Sequence, residues 1–461
     1  MSMKTTFSCG TWILALALLA GCTAARAPVR NLGAAYNLII VTIDTLRADH
    51  VGTNGYERRT TPHIDELAGR SAVFTQAIAQ SSWTRSSMAS LMTGLYPTTV
   101  GVTCHNFRVP KAGCDVLPQS ATTLAEVLHA RGFRTASIVA NINVDAVFGF
   151  DQGFDEMHSV SSELSARDPD WRVHNDWFNK TTTALTEMAL EWLREHGGDE
   201  RPFLLNLHYL DPHDPYDPPE PHRGAFRAAS YDVDPRSREA IALYDGEILH
   251  VDHEFGRVLE QLETSGLAAR TAIVIVSDHG EEFHEHGGVR HGFTMYDEQI
   301  RVPLIVHVPG LTDAGGRFDG QVRLIDVMPT VLELLGAGAP ADLQGVSLLP
   351  ALNGERHDAL PALSEWGYSF DVSWRVPPWK LIFDIQTETP RLFHLDSDPG
   401  EHLDLAQQER RRTAQMVAEL TDTLSRAIEA GRRLSSEEGE IALSPEQIDQ
   451  LRTLGYVDGS R

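Results

Sequence analysis

Three short groups of residues have the types and placement needed to transfer a phosphoryl or sulfuryl group. Asp44 directly follows an apolar run, and Asp278 and His279 directly follow another. Carboxylate oxygens together with an imidazole suit a divalent cation. The third group centres on Thr84, because a hydroxyl held against a bound anion is a possible nucleophile for such a transfer.

Thr84 lies just before a predicted helix. The segment Ser86–Thr93 has small, hydroxyl and apolar residues without Gly or Pro, so a helix can start there. The unpaired N–H groups and dipole of a helix N-terminus favour an anion. For this segment alone, an N-cap threonine on an ordinary helix is the simpler interpretation. Only its relation to the acidic residues favours a nucleophile.

The acidic residues must be positioned by strands. The runs Asn37–Ile43 and Thr271–Ser277 are continuous, apolar and β-branched, as in strands buried on both faces of a parallel sheet. Thr135–Val139, Phe203–His208 and Val302–Val308 predict further strands. Because open α/β sheets bind ligands at the carboxyl ends of their strands, Asp44 and Asp278 lie where a site is expected.

Helical segments alternate with these strands from residue 37 to residue 335, which predicts a mostly parallel sheet flanked by helices, an α/β fold. The predicted helices are Thr61–Ala68, Ala121–Arg131, Ala184–Arg194, Ser237–Thr264 and Asp326–Leu335.

Six histidines surround the predicted strand ends: His208, His213, His279, His284, His286 and His291. Singly, each is better explained as a surface or hydrogen-bonded histidine. Together they provide groups that can bind metal, protonate a leaving oxygen or hydrogen-bond a tetrahedral oxyanion. Glu281 and Glu282 are interpreted as a solvated charge pair.

The order of predicted elements changes beyond about residue 360. Trp379–Asp384 and Arg391–Leu395 predict hairpin strands, and Thr413–Arg433 predicts an amphipathic helix, so we expect a small α+β subdomain. The predicted organisation is a signal peptide at 1–21, a tether at 22–35, a catalytic domain at 36–355 and a C-terminal subdomain with a helical tail at 356–461.

The N-terminal segment predicts export. Trp12–Ala20 is apolar but too short to span a bilayer, and Leu19-Ala-Gly-Cys22 resembles a bacterial lipoprotein signal. An ordinary secretory signal with an incidental cysteine is the alternative. We therefore expect a lipoprotein of the bacterial cell envelope, anchored to the membrane through Cys22 on the periplasmic or extracellular side. There, a disulfide between Cys104 and Cys114 is favoured, although their spacing also allows two free thiols.

Charge limits the class of partner. The net charge of the 461 residues is −25, which argues against a nucleic-acid partner. A small anionic ester remains compatible, because a metal ion and local donors can override the global field.

Four segments, in order, resemble the sulfatase family of the alkaline phosphatase superfamily over roughly residues 36 to 410. They are Asn37–His50 (NLIIVTIDTLRADH), Phe74–Gly94, Asp278–Leu304 with its DHGEE and HGFTMYDEQIRVPL motifs, and Leu392–Ala406 (LFHLDSDPGEHLDLA). The resemblance implies an alkaline-phosphatase-like fold and an ester hydrolase. It makes Asp44, Asp278 and His279 metal ligands and places Thr84 at the nucleophile position.

The same resemblance implies that His213 faces the ester and that His291 takes the place of a Lys or His contacting the transferred group. One divalent metal ion is expected, coordinated by the three ligands and Thr84, with Ca, Mn, Mg and Zn not distinguished. A second ion would require His284, His286 or Glu281.

Departures from the family pattern argue against its usual chemistry. Sulfatases convert a Cys or Ser, followed by x-Pro-Ser-Arg, to formylglycine, whereas this chain reads Thr84-Arg-Ser86-Ser-Met88. Threonine is not a formylglycine precursor, so no formylglycine is expected. Thr45 replaces a second carboxylate ligand. Asn141 and Asn143 replace a Lys and a His on the substrate side.

A threonine nucleophile resembles those of phosphodiesterases, phosphomutases and phospho-head-group transferases of the superfamily. The sequence therefore favours a metal-dependent phosphoester hydrolase or transferase acting through a covalent Thr84 intermediate. A sulfuric ester hydrolase without formylglycine is the first alternative, and a non-catalytic binding lipoprotein is the second.

Overall fold

Two sheets organise the computed structural model, which describes residues 36–103, 116–167, 177–227, 234–355, 358–365, 367–434 and 443–454. The strands are β1 (Asn37–Ile43), β2 (Ala72–Ile78), β3 (Arg134–Val139), β4 (Glu156–Ser159), β5 (Phe203–Tyr209), β6 (Thr271–Val276), β7 (Glu282–Phe283), β8 (Val289–Arg290), β9 (Arg301–His307), β10 (Gly316–Arg323), β11 (Ala362–Ser364), β12 (Asp371–Val376), β13 (Trp379–Asp384) and β14 (Thr389–His394).

Helices cover the large sheet and pack on the small one. They are α1 (Pro62–Ala68), α2 (Thr84–Thr93), α3 (Pro97–Val100), α4 (Leu124–Ala130), α5 (Val160–Arg167), α6 (Trp177–His196), α7 (Arg238–Thr264), α8 (Asp297–Ile300), α9 (Val327–Leu334), α10 (Leu349–Leu352), α11 (Arg410–Leu434) and α12 (Pro445–Thr453).

The large sheet has the strand order β10-β2-β9-β6-β1-β5-β3-β4. Within these eight strands only β9 runs antiparallel to its neighbours. The central strands β1, β5 and β6 are buried along their whole length, as their apolar runs require. The fold is an alkaline-phosphatase-like α/β fold, so the predicted fold class is confirmed.

The small sheet is antiparallel, in the order β11-β12-β13-β14. A separate apolar core, including Val372, Leu381 and Leu392, lies between this sheet and Met416 and Leu420 of α11. The predicted α+β character of this region is confirmed, while the domain boundary at 355/356 stays a prediction.

Most predicted elements are present with ends shifted by a few residues. Three strands of the large sheet were not predicted, namely β2, β4 and β10. β2 lies inside the segment assigned to the nucleophile, and β10 is an edge strand whose sequence, GRFDGQVR, is too polar to predict a strand. α6 is also longer than its prediction, since it begins at Trp177.

Several predictions concern residues outside the described ranges: the signal peptide, the tether with Cys22, and the Cys104–Cys114 pair. They stay predictions. Among the helices that are described, none is both long and apolar enough to cross a membrane.

Candidate active site

The carboxyl ends of β1 and β6 bring the two predicted acidic residues together. These strands are parallel neighbours, so Asp44 and Asp278 leave the sheet side by side, and both are fully buried. The backbone N–H of Thr45 donates to Asp278 Oδ1 at 3.2 Å, which ties the two strand ends together. Thr45 adopts φ 55°, an uncommon left-handed conformation for a β-branched residue, so the turn is held by its surroundings.

His279 has its tautomer fixed by the backbone. Its Nδ1 lies 3.0 Å from the carbonyl of Gly280, and since a carbonyl only accepts, Nδ1 carries the proton. In the neutral form of the ring Nε2 has a lone pair, and Nε2 faces the carboxylates, 3.4 Å from Asp278 Oδ2 and 3.8 Å from Asp44 Oδ1. A lone pair in this position suits metal coordination.

Thr84 is the first residue of α2, and Trp83 is the N-cap residue. The predicted helix N-terminus at Thr84 is thus confirmed, whereas the N-cap interpretation of Thr84 is wrong. The Thr84 hydroxyl is hydrogen-bonded to His279 Nε2 at 3.1 Å. Ser87 in the first helical turn donates to the carbonyl of Asp278 at 2.6 Å, so α2 is anchored to the end of β6.

The donors at these strand ends fit a divalent cation. Among the described residues, Asp44, Asp278 and His279 form the one group of three metal-binding side chains whose donor atoms all lie within 4.8 Å of one another. Asp44 Oδ1 and Asp278 Oδ2 are buried and have no hydrogen-bond partner within the described part of the chain. Since buried carboxylate oxygens are normally paired or coordinated, these two atoms fit the coordination of a cation.

Asn141 supports this arrangement, although the sequence marked it only as a departure from the family pattern. It follows β3 and donates through Nδ2 to Asp44 Oδ2 at 2.6 Å. That bond leaves Oδ1 of Asp44 facing Asp278 and His279. The available signal was its position, two residues after the carboxyl end of a strand.

The imidazoles of His213 and His291 lie beside His279. The ring centroids of His291 and His279 are 4.5 Å apart, and those of His291 and His213 are 4.8 Å apart. His213 donates through Nδ1 to the carbonyl of Asp214 at 2.6 Å. The structure therefore brings both predicted substrate-facing histidines to the metal-binding group.

Glu281 and Glu282 are not a solvated pair, so that prediction is wrong. Both side chains are buried, and Glu281 Oε1 lies 3.2 Å from His291 Nδ1. The reason is the backbone contact after His279: Gly280 N–H donates to the carbonyl of Gln299 at 2.8 Å, and a Cβ on Gly280 would lie 2.1 Å from the carbonyl oxygen of Glu298. Glu281 is thereby turned inward, where it orients the ring of His291.

The other three histidines do not complete the site. His284 is hydrogen-bonded to Ser237 through Nδ1 at 2.8 Å. His286 stacks on Tyr296 and hydrogen-bonds Glu298 at 2.6 Å. His208 is buried at the end of β5, and burial lowers its pKa to about 4.

The pKa shifts arise in two clusters, one of neighbouring carboxylates and one of neighbouring imidazoles. Burial and the neighbouring Asp278 raise the pKa of Asp44 well above its usual value. Burial and the neighbouring imidazoles lower the pKa values of His213 and His291 well below theirs. A cation beside the carboxylates would reverse the first shift, and an anion beside the imidazoles would reverse the second. The arrangement thus suits a cation next to an anionic group.

A family model described as Sulfatase matches residues 36–337, well over half of the chain. The protein belongs to the sulfatase family. Sulfatases are metal-dependent ester hydrolases of the alkaline phosphatase superfamily, in agreement with the metal-binding group at the strand ends. A second model, N-sulphoglucosamine sulphohydrolase, C-terminal, matches residues 285–430 of this sulfatase-family protein.

Similar proteins include two sulfatases. The chain is 24% identical over 419 residues to the Delta 4,5-hexuronate-2-O-sulfatase of Bacteroides thetaiotaomicron, covering 80% of this chain and 84% of that one. It is 25% identical over 439 residues to the arylsulfatase of Clostridium perfringens, covering 81% and 90%. The solved phosphonate monoester hydrolase of Agrobacterium radiobacter has the same fold, with a TM-score of 0.66 and 20% identity over 89% of this chain and all of that chain.

Proposed function

We propose that this sulfatase-family protein is a metal-dependent phosphoester hydrolase or transferase in which Thr84 is the nucleophile. The observation that carries the proposal is the position of the Thr84 hydroxyl, 3.1 Å from Nε2 of His279 within the metal-binding group. It lies in the first turn of α2, where N–H groups favour an anionic ester.

Asp44, Asp278, His279 and Thr84 would hold one divalent ion. When bound, such an ion supplies positive charge that lowers the pKa of an adjacent hydroxyl and screens an incoming anion. The unpaired oxygens of Asp44 and Asp278 support this assignment. Metal analysis of the purified protein should give about one ion per chain, and two ions per chain would contradict it.

The reaction needs two displacements. Thr84 Oγ1 bonds to phosphorus as the bond to the leaving oxygen breaks; Thr84 loses one proton and the leaving alcohol gains one. His213 or His291 hydrogen-bonds the equatorial oxygens or assists the leaving group, and Glu281 orients His291 for this role. Water or an acceptor alcohol then displaces Thr84 and regenerates its hydroxyl.

A sulfate ester is the second candidate substrate. The names of two similar proteins, a 2-O-sulfatase and an arylsulfatase, favour it. The threonine at position 84 favours phosphorus instead, because the formylglycine chemistry of sulfatases starts from Cys or Ser. Membership in a family of ester hydrolases disfavours the third possibility, a non-catalytic binding lipoprotein.

The experiment compares full-length protein with Thr84→Ala and Thr84→Ser on nitrophenyl sulfate, phosphate monoester and phosphodiester, each with Mg, Mn, Ca or Zn. We expect turnover of a phosphate ester that Thr84→Ala abolishes and Thr84→Ser retains in part. Thr93→Ala is the matched control, since this buried hydroxyl of the same helix donates only to its own helix, at Ala89. Turnover that survives in Thr84→Ala would refute the nucleophile, and a preference for the sulfate would establish the second candidate.

We also propose that the protein is a lipoprotein of the bacterial cell envelope, anchored through Cys22. The lipoprotein-like signal ending at Cys22 supports this. Mass spectrometry of the mature N-terminus should find an acylated Cys22. Cleavage elsewhere, without acylation, would favour an ordinary secretory signal.

A further inference from the structure

The loop between β11 and β12 brings the small sheet to the mouth of the candidate active site. Just after β11, the backbone N–H of Glu365 donates to the carbonyl of Gln80 at 2.8 Å, and Glu365 forms a parallel bridge with Ser81. Ser81 lies three residues before Thr84. The loop is therefore fixed to the segment that carries the proposed nucleophile.

Tyr368 in this loop contacts the chain neighbours of two site residues. Its ring centroid lies 5.9 Å from that of Trp83, which precedes Thr84. On another side, its ring packs against Gly292, which follows His291; a Cβ at Gly292 would lie 2.5 Å from the ring. Gly292 has φ +84°, so both its conformation and its contact with Tyr368 require glycine.

The aromatic surface continues outward from Tyr368. Phe293 lies with its ring centroid 5.2 Å from that of Tyr368, and 51% of Phe293 is exposed. Trp83 is buried, Tyr368 is half-buried and Phe293 faces solvent. The three rings therefore form a row whose exposure increases from the residue next to the proposed nucleophile to the surface. We call Tyr368 and Phe293 the aromatic wall. Ligand sites are lined predominantly by apolar and aromatic side chains of this kind.

Charge at this mouth favours an uncharged occupant. Arg290 pairs with Asp214 at 2.8 Å. Arg85 lies over the ring of Phe148 and donates to Asn143 at 2.7 Å. Both arginines are thus engaged by groups of the protein, and the net charge of the chain is −25. A polyanionic saccharide would meet an unfavourable field beyond the transferred group.

We propose that the aromatic wall binds a flat, uncharged ring of the substrate beside the transferred group, so that Tyr368 and Phe293 determine substrate specificity. This inference rests on the proposed function of the same site. Aromatic pairing of this kind contributes about 0.5–1.5 kcal/mol beyond burial of area, or roughly a 2- to 13-fold preference for each ring.

The test measures binding of phenylphosphonate and methylphosphonate to the full-length protein with Mn²⁺ present. We expect tighter binding of phenylphosphonate, and we expect Tyr368→Ala and Phe293→Ala each to reduce that preference several-fold while binding of methylphosphonate is unchanged. Tyr368→Phe keeps the ring and should keep the preference. Trp379→Ala is the matched control, because Trp379 begins β13 at the opposite end of the small sheet from Tyr368.

An unchanged preference in both alanine variants would overturn the inference, as would absence of phenylphosphonate binding to the unsubstituted protein. Tighter binding of a sulfated uronate disaccharide than of phenyl sulfate would also overturn it. Because Phe293 is exposed, its variant remains a test if Tyr368→Ala fails to fold. Turnover by Thr84→Ala is a separate readout, so failure of the nucleophile and failure of the aromatic wall are distinguishable.

Discussion

The carboxylates at the strand ends of the large sheet and those where the two sheets meet are similarly buried but differently partnered. At the strand ends, Asp44 and Asp278 face each other, and each has a carboxylate oxygen without a hydrogen-bond partner among the described residues. Where the sheets meet, Lys380 of β13 bridges two carboxylates, 2.7 Å from Asp297 and 2.8 Å from Glu401.

The pKa shifts follow this difference at Asp44 and Asp297 but not at Glu401, where burial outweighs Lys380 and raises the pKa to about 7. Burial and Asp278 raise the pKa of Asp44 well above its usual value. Burial acts in the same direction on Asp297, but Arg375 and Lys380 outweigh it and hold the pKa of Asp297 below its usual range. Equal burial therefore has opposite results, depending on whether the chain supplies the counter-charge. We infer that the chain itself supplies the counter-charge of Asp297, whereas the strand ends are built for an added cation.

The largest expected effect is on turnover. Asp44→Asn and Asp278→Asn should each lower kcat/KM by about 10³-fold, because loss of a ligand weakens charge stabilisation by several kcal/mol. Without divalent ions, the same variants should unfold at a temperature equal to or above that of the unsubstituted protein, since one of two facing carboxylates is removed. Assays and thermal unfolding in EDTA and in Mn²⁺ measure both effects. A lower unfolding temperature of either variant than of the unsubstituted protein in EDTA would contradict the inference that the facing carboxylates need an added cation.

The next effect is on stability. Lys380→Met should lower the free energy of unfolding by about 3 kcal/mol, because it leaves two buried carboxylates without their shared partner. Denaturant unfolding measures this change, and turnover per folded molecule should stay within about twofold. Lys380 would have to be reassigned to the active site if activity fell while stability did not.

A smaller effect is expected at Asn141. Removing its hydrogen bond to Asp44 in Asn141→Ala should weaken metal affinity by roughly 10- to 100-fold, as for other groups that orient a ligand. Saturating metal should restore most of the rate, which separates this variant from Asp44→Asn. Asn206→Ala is the control, because its amide donates to Ser137 within the sheet. Equal metal affinity in both variants would show that Asn141 does not support metal binding.

The smallest expected effect is on how stability depends on pH, through His286 near the contact between the sheets. Burial lowers the pKa of His286, but its hydrogen bond to Glu298 outweighs burial and raises the pKa above the usual value. The stabilisation by this pair is therefore complete below the unfolded pKa of about 6.5 and is lost as pH rises through the raised folded pKa. Its size should stay below about 1 kcal/mol, as is common for partly exposed pairs.

Thermal unfolding of the unsubstituted protein and of His286→Gln between pH 5.5 and 8.5 tests this dependence. The stability difference between them should be largest at the acidic end and should shrink toward pH 8.5. A difference that grows with pH would mean that His286 is bound in its neutral form.

The sequence was sufficient for those parts of the fold that depend on apolar runs. The predicted limits of β1, β5 and β6 agree with the structure to within one residue, because a strand buried on both faces has few polar positions. The antiparallel direction of β9 was not predictable in this way, since an apolar run has no direction. The polar edge strand β10 was missed because its sequence has no apolar run.

The positions of Asp44 and Asp278 were predictable, because Asp44 directly follows β1 and Asp278 lies two residues after the end of β6. Whether the side chains of the next segment face inward or outward was not predictable. Glu281 is buried because its backbone packs against that of Glu298, whereas His284 and His286 contact other elements. The residues of this one short segment thus have different environments, and only the backbone path after the strand distinguishes them.

The bridge between Ser81 and Glu365 has a consequence for engineering and for evolution. It joins the segment before Thr84 to a loop of the small sheet, which places Tyr368 next to Gly292. A chimaera that exchanges residues 356–434 with those of a relative would therefore replace part of the site mouth while Asp44, Asp278 and His279 remain. Under the proposed role of the aromatic wall, selectivity for the substrate ring and the chemistry of the ester bond can diverge independently within one chain.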